Sequence, residues 1–203
     1  MWYYNANIIK HPKVMVVGDI TYPKAIFRDS DTLTSLGIKP YSETTPDSRY
    51  YWTGVLTVDT SGDEAVGTYA SIDRDVDKLK ESMLDTINSQ VADKQGAIDW
   101  YWQRASKGGK AVPADIQTYA DTIYTEQATK EGEVAALDTL DKIKEYENRA
   151  YTEVRKVATY NEDGSFKEYS GTESSAREIN MLTHWTANPT DEVDPAFVSL
   201  VAD

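Results

Sequence analysis

The apolar period of this chain changes near Ile72, and that change limits the folds open to it. Before it, apolar residues come in short β-branched runs, KVMVV at 13–17 and GVLTV at 54–58. After it, Ile72, Val76, Leu79, Met83, Ile87 and Val91 recur at spacings of three and four. Side chains repeat every two residues along a strand and every 3.6 along a helix, so one regular element cannot carry both patterns. An α+β chain follows, with three expected parts: 1–71, 72–147 and 148–203.

Residues 1–71 read as a small antiparallel β domain that docks on a neighbour. Pro12, Gly18, Pro23, Pro40, Pro46 and Gly54 interrupt it as turn or edge residues. VLTVDTSGDEAVGTYAS forms a hairpin about Ser61, Gly62 and Asp63. RDSDTLTSLGI, with a Ser/Asp start and Gly37 as a stop, predicts a helix of one or two turns.

Residues 72–147 read as a long antiparallel helical hairpin. Asp73, Asp75 and Asp77 fall in its first turns, where the helix dipole favours negative charge. Gly96 is a point of break or bend, and if the helix restarts there Asp99 is its N-cap. Ser106, Lys107, Gly108 and Gly109 spell a stop, and AVPAD a restart with Pro113 in the first turn. Ile116, Tyr119, Ala120 and Ile123 form the apolar stripe of the second arm. Gly132 is a second weak point, with Val134, Leu137, Leu140 and Ile143 continuing the pattern to about Glu147.

Residues 148–203 read as a C-terminal β-hairpin and helix extension. The hairpin turns about Asn161, Glu162, Asp163 and Gly164. ESSAREINMLTHW predicts a helix capped by Ser174, and FVSLV a docked strand or short helix.

Charge narrows the partners. The 203 residues suffice for a real apolar core, and 34 acidic against 21 basic side chains leave a net charge of −13. Such a field repels phosphate backbones, and Lys and Arg are scattered among acids, so no nucleic acid is expected. No run approaches the roughly 18 apolar residues of a membrane span, and the first twenty residues do not read as a signal peptide, so no membrane partner is expected either. There is no cysteine, which removes disulfide and thiol chemistry.

Catalytic and metal motifs fail on their spacing. His11 and His184 stand far apart, and neither lies in a zinc pattern. DRDVDKLKESML opens like a calcium loop but has Lys78 and Leu84 where Gly and Glu are required. GGKAV lacks the first glycine of a phosphate loop, where Arg104 stands, and Ala111 replaces its hydroxyl. No G-x-S-x-G is present. No catalytic, cofactor or metal residue is expected, although a carboxylate pair of glycosidase type could hide among so many acids.

The densest chemistry is aromatic. DWYWQRASKGGKAVPADIQTYADTIYTEQ, residues 99–127, sets Trp100, Tyr101 and Trp102 side by side. On a continuous helix at about 100° per residue, Tyr101 and Trp102 share the face of Ile87, Val91 and Ile98. They are expected in the core, packing on Tyr119 and Ile123. Trp100 falls on the opposite face. Trp100 and Tyr124 are therefore the candidate partner-interface residues, since aromatics are favoured at interface centres.

The same stretch resembles a helical segment of bacteriophage tail-fibre-associated and tail-assembly-chaperone-like proteins. The resemblance rests on the Asp99–Trp100 pair, the Gly108–Gly109 turn, Val112–Pro113 and Tyr119. TLTSLGIKPYSETTPDSRYYW and DVDKLKESMLDTINSQ are similar to upstream parts, so it spans roughly residues 28–147. It implies a non-enzymatic tail protein, made in the host cytoplasm and built into the virion near the tail fibre or baseplate. Its implied partners are other tail, fibre or baseplate proteins and further copies of itself. The alternatives are an assembly chaperone absent from the mature virion, a receptor-glycan-binding module, and a small glycan hydrolase.

Overall fold

A computed structural model describes residues 1–191 and 194–202. The fold is mixed α and β, and it divides into two compact units, Met1–Arg74 and Asp75–Asp203, where the sequence suggested three parts.

The first unit contains strands β1 (Trp2–Tyr4), β2 (Asn7–Ile9), β3 (Met15–Val17) and β4 (Ile20–Tyr22). A 3-10 turn (Lys24–Arg28) and helix α1 (Ser30–Ser35) follow, then β5 (Lys39–Thr44), β6 (Tyr51–Asp59) and β7 (Ala65–Asp73). Asp29 rather than Ser30 caps α1: its carboxylate accepts from the Thr32 N–H. Five strands form one sheet in the order β2-β1-β5-β7-β6, with β3 and β4 pairing separately. The expectation of an antiparallel domain is corrected at one point, since β5 and β7 run parallel, Tyr41 facing Ala65. The hairpin partner β6 takes one side of β7 and leaves its other side to β5. Small residues make that approach possible. Ala65 and Gly67 are buried, and a Cβ on Gly67 would sit 2.1 Å from the Tyr41 hydroxyl. Ile26, Phe27, Leu33 and Ile38 form a core under Trp2, Tyr4 and Met15.

Ile72 does not open the long helix. It lies in β7 opposite Trp52 and is exposed. Asp73 also ends in the strand, and Asp75 alone makes the helix cap, accepting from the N–H groups of Asp77 at 2.9 Å and Lys78 at 3.1 Å. Satisfying two orphan donors at once fixes the helix start at Val76, with only Arg74 and the Asp75 cap between it and the strand.

The second unit begins with α2 (Val76–Ser106), followed by α3 (Ala114–Ala135) and α4 (Leu140–Glu147). Its strands are β8 (Arg149–Tyr160), β9 (Phe166–Ile179) and β10 (Phe197–Ala202). The helix α2 is unbroken over 31 residues, so Gly96 is no break and Asp99 no cap. A single glycine costs a helix only about 1 kcal/mol, which the buried residues on either side offset. The stop is where the sequence placed it: Gly108 takes φ +81°, open to glycine at little cost. Side-chain hydrogen bonds tie α2 to α3 from Lys80 to Ala135, from Gln127 to Asn88 and from Gln95 to Ala120. Met83, Ile87, Val91 and Ile98 of α2 and Ile116, Tyr119, Ala120 and Ile123 of α3 are all buried. Each fully buried isoleucine contributes roughly 1.5–3 kcal/mol.

Gly132 does not break α3 either. The expected run to Glu147 ends instead at Ala135, and Thr139 starts α4 by accepting from the Lys142 N–H. This keeps Leu137, Leu140 and Ile143 buried although the helix is interrupted.

The expected helix after Ser174 is also corrected. Residues 166–179 are one strand, paired with β8 from Tyr160↔Phe166 to Arg149↔Ile179. The long β8 offers a backbone partner along its whole length, and that ladder outweighs a capping signal in a segment without an apolar helical stripe. The chain then crosses the helices. The Met181 N–H donates to the Tyr146 carbonyl at 3.1 Å, and Leu182 is buried. Lys130 donates to the Met181 carbonyl, Trp185 to Gln90, and Thr186 to Glu126. These bonds make 180–186 part of the helical unit rather than a separate extension. FVSLV lies in β10, antiparallel to β8.

Candidate partner-docking groove

The continuity of α2 decides which residues meet at its surface. Gln95, Asp99 and Trp102 stand at i, i+4 and i+7, one stripe of a helix. On α3, Ala120 and Tyr124 stand at i and i+4, with Asp121 beside Ala120. Together with Gly96 they line an open groove of about 450 Å³. Trp102 and Tyr124 are both exposed, at 38% and 57%. Gly96 is exposed too, and a Cβ built on it would touch nothing within 4 Å. The Gln95 amide donates to the Ala120 carbonyl at 3.3 Å and holds the two helices together beneath the groove.

Two carboxylates belong to this groove. Asp99 accepts from Gln103 at 2.6 Å, one turn along α2. Asp121 makes no side-chain hydrogen bond or ion pair among the described residues. No Lys or Arg lines the groove. The site is aromatic and negative, with the exposed Gly96 among its lining residues.

The structure separates the two residues singled out from the sequence. Tyr124 lies in the groove, whereas Trp100 does not. The Trp100 ring lies on Tyr101 with centroids 3.9 Å apart, and the Arg104 guanidinium sits 4.9 Å from the Trp100 centroid and 5.5 Å from that of Tyr101. Trp100 remains 49% exposed. The expectation that Tyr101 and Trp102 are core is corrected. Tyr101 is half-buried and Trp102 is exposed, because Ile98, Tyr119 and Ile123 already fill the seam. Missed from the sequence were Trp102 as a surface residue and the Gly96, Asp99 and Asp121 set. The stripe of Gln95, Asp99 and Trp102 was visible at helical spacing, but a helix broken at Gly96 would have scattered it.

A second hollow, of about 770 Å³, lies beside the C-terminal sheet. There the buried Glu153 carboxylate accepts from Arg177 at 3.0 Å and from Arg155 at 3.0 Å, and Arg155 also pairs with Asp194. Nearby Lys130 is buried, 4.8 Å from the Trp185 ring centroid, and burial pushes its pKa below the usual lysine value. His184 is pushed below the usual histidine range by partial burial and by the Lys130 ammonium. Glu153 thus joins β8 to β9 through Arg177, while Lys130 holds the segment after β9 through the Met181 carbonyl. His11 is exposed in the other unit. Among the described residues no cluster of three or more His, Asp or Glu could hold a metal ion, and no helix is long and apolar enough to cross a membrane.

Compared with protein-family models, with curated proteins and with solved structures, the chain matches none of them.

Proposed function

We propose that this chain is a non-enzymatic bacteriophage tail protein, built into the fibre or baseplate region, that works by docking neighbouring proteins on its helices. The reading joins the tail-protein resemblance of residues 28–147 to one observation. The observation is the open groove between α2 and α3, walled by exposed Trp102 and Tyr124. Exposed aromatics that flank a concave surface are what protein interfaces use as anchors. In this reading α2 and α3 act as one antiparallel helical hairpin, rigid enough to present the groove without refolding. The first unit docks on a different neighbour, and further copies of the chain complete a symmetric assembly.

The test is quantitative mass spectrometry of purified particles of the source phage. A fixed copy number in multiples of three or six supports a tail component, and Trp102→Ser and Trp100→Ser should each lower it. Abundance in infected cells with absence from mature particles would replace this reading with that of an assembly chaperone. A rigid monomer at micromolar concentration that binds no tail component would refute both.

A further inference from the structure

We infer that the groove between α2 and α3 receives a cationic side chain, arginine or lysine, from the partner protein. The inference rests on the docking function proposed above and names what is docked. Three features converge on it. Trp102 and Tyr124 supply aromatic faces, which attract a guanidinium or ammonium through the ring quadrupole. Asp99 and Asp121 supply two carboxylates, and Asp121 has no partner among the described residues. The exposed Gly96 leaves the helix surface bare where a Cβ would meet open space within 4 Å.

The glycine adds room to the groove. Its φ is not among the positive values, so no turn requires it, and no neighbouring atom approaches its Cα side closely enough to exclude alanine. A helix interior is where glycine is disfavoured. Gly132 in α3 shares these properties, but only Gly96 lies in the groove, where the missing side chain leaves room for a ligand group. The groove volume of about 450 Å³ falls within the roughly 300–1,000 Å³ of ordinary ligand sites.

The sign of the charge selects the occupant. Two carboxylates without a lining Lys or Arg favour a full positive charge over a neutral or acidic ligand. A more basic protein is favoured in this groove over a second copy of this chain, which carries −13, and contacts between copies fall to other surfaces. A neutral glycan would stack on the aromatic faces but would draw nothing from the second carboxylate.

The experiment is a titration of the full chain with N-acetyl-arginine methylamide, followed by the amide and indole N–H resonances. The citrulline analogue, equal in shape and uncharged, is the control. Expected are saturable shifts of the Trp102 indole and the Gly96 amide at millimolar arginine, and weaker or no shifts with citrulline. Asp99→Asn and Asp121→Asn should each weaken binding roughly two- to fivefold. Trp102→Leu should weaken it about three- to tenfold. All three positions are exposed, and unchanged amide spectra away from the groove will show that the variants fold. Equal binding of citrulline, or no loss in the asparagine variants, overturns the inference. Shifts with methyl glucoside and none with arginine overturn it in favour of a glycan site. Arginine binding by a chain that never enters particles would leave the groove chemistry standing and remove the tail-component reading. Incorporation into particles without arginine binding would do the reverse.

Discussion

Replacing Gly96 by alanine should make the second unit more stable. Gly96 lies in the interior of α2, and a methyl group there meets no atom within 4 Å. No steric term therefore opposes the change, and only the helix propensity remains. That favours alanine by about 0.8–1 kcal/mol, through the smaller loss of backbone entropy. The long helices all belong to this unit, so urea unfolding followed by far-UV circular dichroism reports on it. The midpoint should rise with an unchanged slope, and the thermal midpoint should rise by roughly 3–5 °C. The same methyl narrows the groove floor, so the variant should bind the arginine amide less well while folding better. Opposite movements in the two assays would mark a residue kept for binding rather than for the fold. A lower urea midpoint would refute the reasoning, since it would mean that the helix surface at Gly96 is covered or bent in the free protein.

The identical substitution at Gly67 should have the opposite sign, losing about 1–3 kcal/mol or more in the first unit, because the new Cβ would stand 2.1 Å from the Tyr41 hydroxyl. Near-UV circular dichroism during urea unfolding would register the loss as Tyr41 is displaced. Glu153→Gln should cost about 1–2 kcal/mol in the second unit, by weakening two charge-assisted bonds to Arg155 and Arg177. The low end is expected because those guanidiniums are 37% and 56% exposed and regain water. For His184 the folded pKa lies below the ordinary 6.5, so the unfolded chain binds a proton more readily. Stability is then flat above that value and falls as pH drops from it through the lowered folded pKa. His184→Gln should reduce this acid-side loss, which urea midpoints measured on both sides of 6.5 will detect.

What the chain determines locally can be followed residue by residue. Apolar spacing from Val76 to Val91 specifies one face of α2, because burial rewards a period of 3.6 wherever it occurs. Gly108 ends that helix and the Asn161–Gly164 turn joins β8 to β9, since both contain glycines at positive φ that other residues avoid. The tie between strands that are distant in sequence is not local. Parallel pairing of β5 with β7 depends on Tyr41 finding the bare surface of Gly67, and the strand from Ser174 to Ile179 depends on β8 lying beside it.

The site divides in the same way. The sequence alone showed an aromatic concentration at 99–127 and marked Tyr124 as a surface residue. It read Trp102 as core, because a helical stripe identifies a face but not how far the neighbouring helix reaches along it. Trp102 and Tyr124 instead line one open groove between α2 and α3, together with Asp99 and Asp121. Which side chains fill a seam and which line its edge is decided by packing between helices, and no periodicity within one helix contains that information.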